Sequence, residues 1–248
     1  MKITSLLLAT LFFSYSLLAE TIAQKGNERI TVMSLNIYGW KTMPKHSDDY
    51  AQLINHHKVD VLGIQEGVED WQLKADDLIN KLPTNYQRAI TLHKSLGECW
   101  QHKFQIFINH CQGNRFIKTG RFELTDGPNA TRTGEYAVVE NSNHQYFFVN
   151  VHWEHESADA RMANARETAT QLNKTTSQPT ILLGDFNSQC DGKEARLLQA
   201  LTKVSLVKSA GIDCLFVKGV KGEGSVIDAS PSDHPAIVAT LKPESKKI

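Results

Sequence analysis

The stretch Thr180-Ile181-Leu182-Leu183-Gly184-Asp185-Phe186-Asn187 ends an apolar run in a carboxylate and an amide two residues apart, and Ser232-Asp233-His234 sets an acid beside an imidazole near the C-terminus. Side chains alternate between the faces of an extended strand, so Asp185 and Asn187 share a face. A carboxylate that can take a proton, an amide that can donate and an imidazole that can do either suit an in-line displacement at phosphorus, with a hard cation to neutralise charge. Asn36, Glu66 and His152 also stand at or near the ends of apolar runs. Singly, such residues are more often turn formers, caps or hydrogen-bonded structural groups. Their joint placement, each polar island at or near the end of an apolar run, points to one shared site.

The elements that must position them are legible in the patterning. Apolar runs rich in β-branched and aromatic residues predict strands at 29–38, 59–65, 104–108, 115–124, 135–140, 146–152, 180–184, 214–217 and 236–241. Helical patterns fall at 48–58, 71–81, 157–174 and 191–201. In the third, Ala158, Met162, Ala165, Ala169 and Leu172 form one apolar stripe, with Ser157 as its N-cap. The polar turn Asn141-Ser142-Asn143-His144 has hairpin spacing, so the sheets are mixed rather than wholly parallel. The glycine-rich segment 219–225 lacks the strand-turn-helix context of a phosphate loop and reads as a flexible loop.

With 248 residues, 41% of them hydrophobic, the chain can bury one large core. Lys2 followed by an uncharged apolar stretch to Ala19 has the pattern of a secretory signal peptide over residues 1–19, cleaved there or as late as residue 23. An uncleaved anchor is the competing reading, but Thr4, Ser5, Thr10, Ser14 and Ser16 interrupt the stretch. Residues 24–248 are then a single domain of a secreted or periplasmic monomer. After cleavage 26 basic residues face 27 acidic ones, a net charge of −1. No basic run marks a nonspecific nucleic-acid footprint, which weighs against a nuclease, although a hydrolase that holds its substrate mainly through a metal needs less of that field.

All four cysteines, Cys99, Cys111, Cys190 and Cys214, follow the leader, so two disulfides are expected in three alternative pairings. Cys99 with Cys111 closes a local hairpin, and Cys190 with Cys214 flanks candidate site segments. A metal site built from Cys99, His102, His110 and Cys111 is the rival for the first pair. His152-x-x-His155 has the look of a zinc pair, but residues three apart on a strand point to opposite faces.

Ser34-Leu35-Asn36-Ile37, Gly63-Ile64-Gln65-Glu66, Val149-Asn150-Val151-His152, Gly184-Asp185-Phe186-Asn187, Ile212-Asp213-Cys214-Leu215-Phe216-Val217 and Ser232-Asp233-His234-Pro235 together resemble the endonuclease/exonuclease/phosphatase superfamily, best known for its deoxyribonuclease I-like branch. The resemblance spans nearly the whole mature chain. It implies an α/β four-layer sandwich, two mostly antiparallel mixed β-sheets flanked by helices. It also implies that Glu66 binds Mg²⁺, with Mn²⁺ or Ca²⁺ as alternatives, near Asn36 and Asp233. Asp185 would orient or deprotonate the attacking water, and Asn187 would hold a phosphate oxygen. His234, aligned by Asp213, would act as general acid/base or stabilise developing charge, with His152 as the second imidazole. Arg132 precedes a strand where such proteins place an arginine on the substrate phosphate; the alternative is a solvated loop charge. Cys190 falls where that branch has a cysteine whose disulfide staples the loop behind the site. The chain departs from the pattern around 104–109, where His102, Lys103 and Gln105 stand in place of the acid that pairs with the first histidine, which leaves the alignment of His152 open.

The expected activity is a metal-dependent phosphodiesterase, an endonuclease of DNA or RNA. Two alternatives stand beside it. The same chemistry on a lipid or inositol phosphate head group, as in a sphingomyelinase, needs an exposed apolar element, for which Trp100 is the only faint candidate. A non-catalytic binding protein on the same fold should have lost at least one of Glu66, Asp185, Asn187, Asp233 and His234.

Overall fold

Strict alternation along the first strand, β1 (Ile30–Asn36), sets the plan: Ile30 and Val32 enter a core shared by two sheets, while Met33 and Leu35 enter a second core on the opposite face. The computed structural model describes residues 29–43, 45–67, 100–103, 105–128, 131–141, 144–175 and 177–244. The leader, the helix expected at 71–81 and the pairing of Cys99 with Cys111 lie outside the described residues.

The remaining strands are β2 (Val61–Gln65), β3 (Trp100–Lys103), β4 (Ile106–Asn109), β5 (Asn114–Leu124), β6 (Arg132–Asn141), β7 (His144–His152), β8 (Thr180–Asp185), β9 (Ser205–Ala210), β10 (Asp213–Lys218), β11 (Val220–Ile227) and β12 (Ala236–Pro243). One sheet runs β11-β12-β1-β2-β4-β3 and the other β5-β6-β7-β8-β10-β9. Each has a parallel pair at its centre, β1 with β2 and β7 with β8, and antiparallel pairs outside it. A parallel pair needs a long crossover. Helices α1 (Gly39–Thr42) and α2 (Ser47–His56) lie in one, and α3 (Ala158–Asn173) forms the other. Helix α4 (Lys193–Thr202) joins α3 on the outer face of the second sheet, and α2 covers the first. The expected four layers are therefore present. Ser157 caps α3, its hydroxyl accepting from the Ala160 amide at 3.2 Å. Ala165, Ala169 and Leu172 of the stripe are buried, and the face also takes in Asn164, Thr168 and Gln171.

The segment expected as a flexible loop at 219–225 is instead β11, paired antiparallel with β12 over eight residues. It is an edge strand, polar and glycine-rich, which removed the apolar signature. Gly222 belongs there because a side chain would collide with the Thr240 carbonyl of the neighbouring strand.

Polarity along the inner faces is what positions the site. Ile30, Val32, Val61, Phe148, Ile181, Leu183, Leu215 and Val217 fill the apolar space between the sheets. One step along, the same face carries Ser34, Gln65, Asn150 and Glu135, all buried. At the strand ends it carries Asn36, His152, Asp185 and Asp213. Gly63 lets the sheets approach here, since a side chain would strike Leu183 from the opposite sheet and meet Asn150 Oδ1 at 2.9 Å.

Candidate active site

Parallel and antiparallel register bring the inner-face ends together: His152 lies opposite Asp185 in the β7–β8 pair, and Asp213 lies opposite Asp185 in the β10–β8 pair. Gly184, at φ 143°, leads into Asp185 in a conformation where any side chain would collide with the Val151 carbonyl. Of five non-glycine residues with positive φ among the described residues, Glu66 and Asn187 are expected site residues, and Tyr38 follows Asn36 by two. Strained backbone of this kind persists where the surroundings over-determine it.

Asp185 is the hub, buried to 2% exposure. Its Oδ2 accepts from Asn36 Nδ2 at 3.2 Å and lies 3.5 Å from His152 Nε2 and 3.9 Å from His234 Nε2. Its Oδ1 accepts the Asn187 amide at 2.8 Å. Burial, and then the nearby Asp213 charge, raise the Asp185 pKa to about 7. His234 Nδ1 lies 2.7 Å from Asp213 Oδ2, and that bond raises the imidazole to about 9 against its partial burial. At neutral pH His234 is therefore an imidazolium. Asp213 itself is raised by burial, with His234 acting in the opposite sense.

His152 is held otherwise. Burial lowers its pKa well below the ordinary value, and the Arg132 charge lowers it further. Its Nδ1 faces Arg132 Nη1 at 3.2 Å. A guanidinium only donates, so Nδ1 accepts and the ring hydrogen sits on Nε2, toward Asp185. The alignment that the sequence left open is thus given by an arginine in place of an acid. Gln105 is engaged elsewhere, with Glu135 and the Gly67 amide.

Asn36 donates to Glu66 Oε1 at 3.3 Å as well as to Asp185, while its own oxygen accepts the Tyr38 amide at 3.0 Å. So oriented, it braces two carboxylates with its amide hydrogens instead of offering an oxygen to an ion. Glu66 Oε2 is buried without a hydrogen-bond partner among the described residues. A buried carboxylate oxygen without a partner, beside further oxygen donors, fits a hard cation. Asp233 is exposed on the loop before β12, where its charge raises His234 and Asp213 through space. Ser232 closes this loop onto the site by donating to the Asn36 carbonyl at 2.6 Å. Asn187 Nδ2 donates to the Trp153 carbonyl at 2.9 Å, fixing its amide at the rim.

Arg132 is not a solvated loop charge. Its side chain is 11% exposed and pairs with Glu154 at 3.3 Å, and Nη2 reaches His155 Nδ1 at 2.7 Å. The opposite-faces argument for His152 and His155 fails because β7 ends at His152, and both imidazoles turn to one guanidinium. Glu154 was missed from sequence, since nothing in a polar run after a strand marks one acid as buried. Behind the site, Cys190 and Cys214 form a disulfide, as favoured from their positions.

The profile described as the Endonuclease/Exonuclease/phosphatase family matches residues 33–234. No curated protein sequence matches the chain. An endonuclease/exonuclease/phosphatase from Bacteroides vulgatus shares the fold at TM-score 0.69 and 16% identity, over 87% of this chain and 99% of that one. A mannosyl-6-phosphatase of Bacteroides thetaiotaomicron superposes at TM-score 0.66 and 18% identity, over 86% and 99% of the two chains. D. rerio TDP2, complexed with a single-strand DNA product, does so at 0.66 and 13%, over 87% and 100%. With the profile covering most of its length and the four-layer sandwich in place, this chain belongs to the endonuclease/exonuclease/phosphatase family, whose members are hydrolases of phosphoesters.

Proposed function

We propose that this chain is a metal-dependent phosphodiesterase, an endonuclease that hydrolyses DNA or RNA and works outside the cytoplasm. The observation that carries the reading is the convergence on Asp185 Oδ2 of Asn36, His152 and His234 within 3.9 Å, with the partnerless Glu66 oxygen one amide away. The leader pattern and the Cys190–Cys214 disulfide support the compartment.

Glu66, with Asn36 bracing it, would hold Mg²⁺, or Mn²⁺ or Ca²⁺, and Asp233 on the loop before β12 would supply a further carboxylate. A bound cation there supplies charge neutralisation on the phosphoryl oxygens. The chain's own groups do the rest. Asp185, with a pKa raised to about 7, is matched to taking a proton from the attacking water near neutral pH. His234, charged and locked by Asp213, offers Nε2–H to the charge that develops on phosphorus. His152 offers a neutral Nε2–H from the other side, and Asn187 holds a third oxygen in place.

The test is release of acid-soluble nucleotides from DNA and RNA, with and without chelator. A phosphomonoester, sphingomyelin and inositol phosphates serve as parallel substrates. Chelator-sensitive cleavage of nucleic acid that is lost in folded Asp185→Ala and His234→Ala is the expected result. Cleavage restricted to a lipid, inositol or sugar phosphate would move the substrate, and no metal-dependent hydrolysis of any of these would end the proposal.

A further inference from the structure

Glu154 is a charged side chain with 0% exposure, just beyond the end of β7 and outside the catalytic roles assigned so far. The chain is pinned around it. Trp153 before it is fully buried, packs on Phe186 with ring centroids 4.4 Å apart, and donates Nε1–H to Thr168 at 3.1 Å. The Glu154 amide donates to Asn164 Oδ1 at 2.9 Å, and its carbonyl accepts from Arg161 at 3.2 Å. Gly127 closes over the carboxylate so tightly that a side chain there would collide with it. The carboxylate accepts the Glu156 amide at 2.8 Å and Arg132 Nε at 3.3 Å, and His155 Nδ1 stands 3.5 Å from it.

Burying a carboxylate costs several kcal/mol unless it is paired. Here the pairing fixes the plane of a guanidinium with one edge left over. Arg132 Nη1 and Nη2 reach His152 Nδ1 and His155 Nδ1 at 3.2 and 2.7 Å. Every hydrogen of that guanidinium is a donor, so each imidazole must present a bare Nδ1. Protonating His152 at Nδ1 would set N–H against N–H.

We infer that Glu154 is a positioning residue: through Arg132 it locks His152 as the neutral tautomer with its hydrogen on Nε2, directed at Asp185 Oδ2 and the scissile phosphate. This rests on the proposed phosphoesterase reading for its consequence in catalysis, though not for the tautomer itself. The lock divides labour between the two histidines. His234 carries charge, while His152 is a fixed neutral donor that does not shuttle protons.

The test reads the imidazole nitrogens of metal-free protein by ¹H–¹⁵N correlation at pH 7, with His152→Gln supplying the assignment. Wild type should show Nε2 protonated and Nδ1 bare at His152; a hydrogen on Nδ1, alone or with Nε2, overturns the inference outright. In Glu154→Gln, which keeps shape and one acceptor, the His152 signals should move toward a tautomer mixture. Its kcat should fall roughly 10- to 100-fold with KM changed far less, as expected when the partner that orients a site group is lost. A folded Glu154→Gln with unchanged His152 nitrogens and a kcat within about twofold of wild type overturns it too. Should that variant not fold, Arg132→Lys keeps a cation for Glu154 but cannot reach both rings, and the same nitrogen readout decides. Wild type without metal-dependent turnover would remove the proposed function, yet leave the tautomer measurement standing on its own.

Discussion

Asp213 and His234 form the shortest charged contact of the site, 2.7 Å, and the pair sets the pH range over which the imidazolium persists. Its pKa is raised from 6.5 to about 9, so the stabilisation it lends the fold is complete below 6.5 and is lost as pH rises through about 9. Asp213→Asn should therefore shift the alkaline limb of the kcat profile toward neutrality and cost roughly 10²-fold in rate at pH 8. The accompanying loss of stability should be larger at pH 6 than at pH 10, measured by urea unfolding. An unshifted limb in a folded variant would detach His234 from the acid role. Much of this residue-scale picture was legible in sequence: Asn36, His152 and Asp185 gather because each ends an apolar strand on its inward-facing parity, while Glu66, Asn187 and His234 join them from the turns beside strand ends. Glu154 and the bracing orientation of Asn36 were not, since a buried polar group's partner is a tertiary fact that no spacing records.

At the scale of elements, the nine runs expected as strands fall on strands, and the ones missed share a cause. The three strands Trp100–Lys103, Ser205–Ala210 and Val220–Ile227 all lie at sheet edges, where apolar alternation gives way to polar residues and glycine. Central strands announce themselves, as β8 does, buried at every position. Leu183→Ala, in the core between the sheets and directly before Gly184, should cost about 2–5 kcal/mol and lower activity by displacing Asp185. Thermal unfolding together with turnover at a temperature where the variant is folded would check both halves. Beneath the strand ends that line the site, β6 holds Glu135, whose carboxylate accepts from the Gln105 amide at 3.2 Å and Asn150 Nδ2 at 3.4 Å. Burial raises it from 4.5 to about 7 despite the opposing Arg121 charge. A carboxyl that binds its proton more tightly in the fold makes the fold less stable as pH climbs from 4.5 toward 7. Between pH 5 and pH 8, Glu135→Gln should gain on wild type by about 1–3 kcal/mol. Parallel slopes for the two proteins would mean Glu135 is ionised throughout.

The whole molecule is two sheets that each centre on a parallel pair and meet along one gradient, from aliphatic through amide to charged. A cation that binds this end only when both sheets are in place stabilises the fold by mass action, about 2.7 kcal/mol at a hundred times its dissociation constant. Mg²⁺ should raise the midpoint of thermal unfolding relative to chelator, and Glu66→Gln should abolish most of that shift. An identical shift in the variant would place the ion elsewhere.

The tie between Ser232 and the Asn36 carbonyl joins positions 196 residues apart, and β1 finds its antiparallel neighbour only in β12. During translation β1 must wait for β12, and His234 emerges after Asn36, Glu66, His152, Asp185 and Asn187. A polypeptide that stops before His234 therefore lacks both the β12 partner of β1 and the imidazole beside Asp185, and should show no turnover in the same assay.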